Sequence, residues 1–309
     1  MSDMQKSTHQ HPAIQLIYLL LYVIAGGVVF SIIGLFIYSL TGNNFSLLLT
    51  SNETNMDINF IRTIQISSSL GIFIAGPLTF ALATKQPIKS YYHLYNPLKT
   101  PELILIVTAI MFIGLPFLEL INAANQKLVL PEFLKGLEQW MREKEQQAAV
   151  LTKQLLVMKS FSDYLLNLLM IAVIPAIGEE LLFRGALQNI FYKWFYNPHV
   201  AIWISAIIFS TIHVQFFGFF PRMFLGALFG YFLWWSGSLW FAIWGHFLNN
   251  GLAVTMAYIL QLQGKSIDEI EKTDTFQIWG YLLSAIITLV LLLKFYQNFK
   301  KNSQIDIYE

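Results

Sequence analysis

Cysteine is absent from the sequence, which removes disulfide staples, thiolate nucleophiles, Cys-bound zinc and iron–sulfur clusters from consideration. Charge is nearly as scarce. Only 12% of the 309 residues are Asp, Glu, Lys or Arg, where an ordinary soluble domain carries about 25%. The shortage comes in blocks: 7–52, 63–84, 103–118, 164–178, 194–221, 223–264 and 275–293 contain none of the four. With 56% hydrophobic residues there is too little polar surface to keep the chain dispersed in water, and the lipid bilayer is its expected solvent. The formal net charge of +1 gives no electrostatic footprint for a phosphate backbone, so nucleic acid is not an expected partner.

A membrane helix needs about 20 residues to cross about 30 Å of hydrocarbon. Eight segments meet that description: 15–38, 63–84, 102–121, 164–192, 200–220, 222–239, 242–262 and 276–296. The first is too long for a signal-peptide core and lacks an Ala-x-Ala exit, so it reads as a retained span. The expected fold is therefore all-α, a polytopic membrane protein with about eight transmembrane helices in one bundle enclosing a polar cavity, and 1–309 as a single membrane domain. Lys85, Lys89, Lys99, Lys193, Lys294, Lys300 and Lys301 fall on one side of eight crossings, which puts both termini in the cytoplasm of a cell-membrane protein. The connection 264–275, with four acids and two lysines, falls outside. So does 122–163, whose six basic residues against five acids fit that side poorly. Within it, 131–150 reads as a charged helix with Leu134, Leu137 and Met141 on one stripe, either lying along the interface or capping the bundle.

Ionisable and amide side chains inside apolar helices cost several kcal/mol unless paired, so each is a candidate for function. Three clusters qualify. In the fourth segment Pro175 predicts a kink, and Glu179, Glu180 and Arg184 follow it. Glu180 and Arg184 are four apart and share a helix face, whereas Glu179 is rotated by about 100° and left for other work. His213, four residues after Phe209, sits in the fifth span. His246 and Asn250 share one face of the seventh, with Asn249 turned away. His9, His11, His93 and His199 read as exposed. Arg222 reads as snorkelling to a headgroup or holding the turn between the fifth and sixth segments. Gly226 and Gly230 permit close helix packing, and Trp234–Trp240 reads as an interfacial turn.

Glutamate and histidine around water form a hydrolytic arrangement. Glu179 would take a proton from water, His213 would orient or share it, and His246 with Asn250 would donate hydrogen bonds to the oxygen on which charge develops. A zinc reading competes, because Glu179, His213 and His246 make the two-histidine, one-carboxylate set that catalytic zinc accepts. The His-Glu-x-x-His signature of soluble zinc proteases is absent, so the sequence leaves both versions open, with the metal-free one favoured. Neither Ser205 nor Ser210 has an activating arrangement, and no aspartate lies within a span.

These residues resemble the motifs of the CAAX-protease and bacteriocin-processing membrane peptidases, the CPBP or Abi family. Its Glu-Glu-x-x-x-Arg motif matches Glu179, Glu180 and Arg184, its Phe-x-x-x-His motif matches Phe209 and His213, and its His-x-x-x-Asn form matches His246 and Asn250, in the family's order. The similarity covers 164–255. It implies an eight-helix fold with a conical cavity open to membrane and cytoplasm, a peptide or membrane-protein substrate, water activation at Glu179 and His213, and an oxyanion site at His246 and Asn250. The resemblance does not carry the prenyl-peptide chemistry of the eukaryotic members onto this chain. The rival readings are a transporter that uses the buried polar groups as an ion path, and a non-catalytic scaffold or immunity protein that keeps them for structure.

Overall fold

The computed structural model describes residues 10–41, 57–96, 101–266 and 277–300; most of the acidic connection 264–275 lies outside them. Among the described residues every regular element is helical. We number the main helices α1 (Pro12–Leu40), α2 (Ile58–Ala83), α3 (Pro101–Ile113), α4 (Leu115–Gln126), α5 (Lys135–Leu155), α6 (Phe161–Phe195), α7 (Pro198–Thr211), α8 (Phe219–Ser236), α9 (Leu239–Leu262) and α10 (Ile278–Lys300).

Each expected span falls on a helix, but the count of eight is not confirmed. Among the described residues five helices are long and apolar enough to cross a membrane, and six if α3 and α4 form one bent span. The difference has a physical cause in each case. The segment 102–121 breaks at Gly114, with Pro116 in the first turn of α4 and a 41° bend. Ser284 of α10 stitches the break, donating to the Ile113 carbonyl at 2.5 Å and accepting from Phe117 N–H at 3.3 Å. Helix α7 has only 14 residues, about 21 Å of rise, short of the hydrocarbon thickness. Helix α9 has the length, but His246, Asn249 and Asn250 at its centre dilute its apolarity. The outward faces of α1 and α10 expose rows of Ile, Leu and Val, the reverse of a water-soluble surface. The chain is a multi-pass membrane protein.

Helix α6 is the organising element. Its turns widen to π geometry twice, over Leu168–Val173 and Leu181–Leu187, on either side of Pro175 and the glutamate pair. Such turns occur mostly at functional sites. The helix continues through Pro175, with a wide turn just before it. It packs against α7, α8 and α9 around Phe183, Phe209, Phe229 and Phe232. The glycine pair of α8 does what its spacing predicts. A Cβ on Gly226 would stand 3.1 Å from Arg184 Nη2, and one on Gly230 would stand 2.7 Å from Gln188 Oε1.

Two loops depart from the sequence reading. His11 and His199 are exposed as expected, and His9 lies outside the described residues, but His93 is buried. The loop around it docks under the start of α9: the His93 carbonyl accepts from Leu239 N–H at 3.0 Å, and the Tyr95 carbonyl accepts from Ser238 Oγ at 2.7 Å. One of the orphan donors at a helix N-terminus is thereby satisfied. Burial pushes the His93 pKa down to about 4. The unfolded chain therefore binds a proton there below about pH 6.5 that the native state refuses. Stability conferred at neutral pH falls as pH drops through that window, by about 3 kcal/mol. Thermal unfolding in detergent at pH 7 and pH 5 should show a steeper loss for the native protein than for His93→Gln, and equal slopes would contradict this account.

The second is helix α5. It rests on the 216–218 turn through Trp140 against Phe216, with ring centroids 5.4 Å apart, Arg142 over the Phe217 ring at 4.4 Å, and Glu145 Oε2 accepting from Phe217 N–H at 3.3 Å. Of its two expected placements, these contacts are those of a cap on the helical assembly. The Glu138 carboxyl is held below its usual range by Arg142, which bonds it from the next turn.

Candidate active site

Glu180 and Arg184 pair along the helix as their spacing requires, with Arg184 Nη1 donating to Glu180 Oε1 at 2.8 Å and both side chains buried. The guanidinium also donates to the Gly226 carbonyl at 3.1 Å and lies over the Phe209 ring at 4.4 Å. Glu180 has a second role that its sequence position does not reveal. The same Oε1 accepts from His246 Nδ1 at 2.7 Å, so the carboxylate joins α6 to α9 and fixes which nitrogen of His246 carries the proton.

The other nitrogen follows from Asn250. Pro175 has no N–H to offer the carbonyl of Ile171, four residues earlier, and Asn250 Nδ2 donates to that carbonyl at 3.0 Å. This identifies the Nδ2 end of the amide. The same nitrogen faces His246 Nε2 at 3.2 Å, which must then accept, while Asn250 Oδ1 accepts from Asn249 Nδ2 at 3.0 Å. His246 thus directs Nδ1 at Glu180 and Nε2 at the Asn250 side. It is stacked on Phe229, with centroids 5.4 Å apart, and edge-on to Phe209 at 6.1 Å.

Glu179 is the carboxylate left over. Its Oε2 lies 3.8 Å from His246 Nε2, beyond direct hydrogen bonding, and its side chain is 12% exposed. It is placed by close packing, since a Cβ on Gly178 would stand 2.6 Å from Phe73 Cβ of α2. Phe73 also lines a cleft of about 860 Å³ between α2 and α5, walled by Ile61, Ile64, Ile72, Val150 and Leu151.

His213 is not inside a helix. Helix α7 ends at Thr211, and His213 occupies the turn that follows, its Nδ1 donating to the Phe209 carbonyl at 2.7 Å. It thereby satisfies one of the carbonyls the helix end leaves free, and its Nε2 is the acceptor. The rings of His213 and His246 both pack on Phe209, the former at a centroid distance of 4.9 Å, and the two histidines interact electrostatically. No hydrogen bond joins His213 to Glu179 among the described residues.

The zinc alternative does not fit. Among the described residues no group of three or more His, Cys, Asp or Glu stands together as metal ligands, so Glu179, His213 and His246 are not gathered into a set. His246 also has both nitrogens engaged by Glu180 and Asn250.

Residues 161–252 match the family model described as Rce1-like, type II CAAX prenyl endopeptidase. That stretch contains all three motifs. Over these residues the chain is similar to that family. No curated protein and no solved structure matches the chain closely enough to add to this. The similarity supports a peptide hydrolase of the membrane. Four of the motif side chains, Glu180, Arg184, His246 and Asn250, form one bonded network, with Glu179 at its edge and His213 packed on Phe209.

Sequence reasoning missed three participants. The Ile171 carbonyl had a signal, since any proline inside a helix frees the carbonyl four residues back. Gln215 and Asn125 had none. Asn125 of α4 donates to the Phe216 carbonyl at 3.0 Å and accepts from Phe220 N–H at 2.7 Å, which pins the start of α8.

Proposed function

We propose that the protein is an intramembrane endopeptidase in which Glu179 and His213 activate water and His246 with Asn250 receives the negative charge of the tetrahedral intermediate. Glu179 carries the reading. Among the described residues it is a carboxylate that no structural pair consumes, beside a histidine whose Nε2 is 3.8 Å away.

Water held at Glu179 gives a proton to the carboxylate, and the hydroxide attacks the peptide carbonyl carbon. Asn250 swings one N–H from His246 Nε2 to the developing oxyanion. The proton taken up by Glu179 is shared with His246 at the vacated Nε2, which donates it to the oxyanion while Glu180 keeps hold of Nδ1, and it returns to Glu179 as the intermediate collapses. Protonated Glu179 then passes its proton to the leaving amine. The substrate is a peptide or membrane-protein segment entering from the bilayer, and the apolar cleft between α2 and α5 suits an apolar stretch of it. In this reading the protein lies in the cell membrane with both termini in the cytoplasm.

Membrane proteomics of cells carrying the native protein against cells carrying Glu179→Gln should reveal peptide termini found only with the native protein. Identical sets of termini would leave the peptidase reading without a product.

A further inference from the structure

Arg222 stands in the first turn of α8, where the sequence offers either a headgroup contact or a grip on the preceding turn. It makes the grip. Nη1 donates to the Gln215 main-chain carbonyl at 3.3 Å and Nη2 to the Gln215 side-chain Oε1 at 2.7 Å, so both arms of the fork hold one residue. Gly218 leaves room for this, since a Cβ there would stand 3.2 Å from Nη2. Gln215 is two residues after His213, and between them Val214 has a φ of 53°, a left-handed conformation that a β-branched residue adopts only when its surroundings impose it. The guanidinium also interacts electrostatically with Glu179, His213 and Glu145.

We infer that Arg222 is a positioning residue for His213: its two-armed hold on Gln215 fixes the 212–218 turn so that the His213 ring stays on the Phe209 carbonyl through Nδ1. The inference rests on the reading above for its catalytic meaning, because His213 matters to turnover only if it helps activate water. Its geometric content stands apart from that. Lysine keeps the charge and cannot reproduce the fork, so Arg222→Lys separates grip from charge.

The experiment uses the full chain in nanodiscs with ¹⁵N-labelled histidine, and compares native protein, Arg222→Lys, Gln215→Ala and the double variant. In the native protein the His213 signals are those of the Nδ1–H tautomer. In Arg222→Lys a second, Nε2–H population appears, and amide exchange over 212–218 rises about ten-fold while α6 and α9 exchange as before. Gln215→Ala shifts both readouts the same way by less, and the double variant goes no further than Arg222→Lys, as expected for residues acting through one contact. If Arg222→Lys leaves tautomer and exchange native, or if the effects of Arg222→Lys and Gln215→Ala simply accumulate, the clamp is wrong. Neither readout needs turnover, so absence of peptide cleavage would sink the peptidase reading and leave this one standing. Where cleavage is seen, Arg222→Lys should lower kcat about ten-fold with KM within about two-fold, because the clamp touches no substrate. An unchanged kcat would overturn the link to His213.

Discussion

Glu179→Gln is expected to lower peptide cleavage by about a thousand-fold or more while the purified protein stays folded. The size follows from the loss of a positioned base, which contributes about 10²–10⁴-fold in general acid–base catalysis. The preserved fold follows from the geometry. Glutamine has the same shape, and no hydrogen bond or ion pair shorter than 3.8 Å ties Glu179 to the rest of the site. Thermal unfolding should therefore move by no more than about 1 kcal/mol. Glu180→Gln is the informative contrast, because that carboxylate holds both Arg184 and His246 and its loss should damage stability together with activity. Retained cleavage in purified Glu179→Gln would remove Glu179 from the mechanism. Equal damage to folding in the two variants would mean that the carboxylates are not divided between chemistry and structure.

Arg184→Ala should be the most destabilising single change in the site, by about 3–5 kcal/mol. Arg184 is 1% exposed and Glu180 is fully buried, so truncating the arginine leaves a buried carboxylate supported only by His246. The Gly226 carbonyl and the face of Phe209 lose their partner as well. A buried pair is a poor source of net stability, however, because removing both ions from water costs nearly what their attraction returns. The double variant Arg184→Met, Glu180→Gln should accordingly lose less than Arg184→Ala alone. Denaturant or thermal unfolding of the three proteins in one detergent checks both statements. A loss below about 1 kcal/mol for Arg184→Ala would place the pair among weak, solvent-screened ones.

Composition and periodicity went far with this chain. The blockwise absence of charge located the helices, and the helical repeat placed Glu180 with Arg184 and His246 with Asn250, because residues four apart on a helix are neighbours whatever surrounds them. Span counting went less far. A charge-free stretch shows what avoids water and not how long its helix is, and Thr211 ends α7 well short of position 220. The same shortfall put His213 in a turn, where its ring closes the helix end instead of projecting from the helix.

What only the tertiary structure decided is which side chain meets which across helices. Contacts between helices depend on crossing angle and rotational phase, and the periodicity of one helix carries neither. Glu180 therefore looked like half of a local pair and proves also to be the anchor of His246. Asn250 looked like an oxyanion donor and is first the partner of the carbonyl that Pro175 leaves free. Arg222 looked like a boundary residue and grips the turn that carries a candidate catalytic histidine. The sequence by itself determined the solvent, the helical class and the chemical inventory of the site, since these depend on residue type and spacing along one chain. That the paired carboxylate, Glu180, also holds His246 depended on two helices meeting in space.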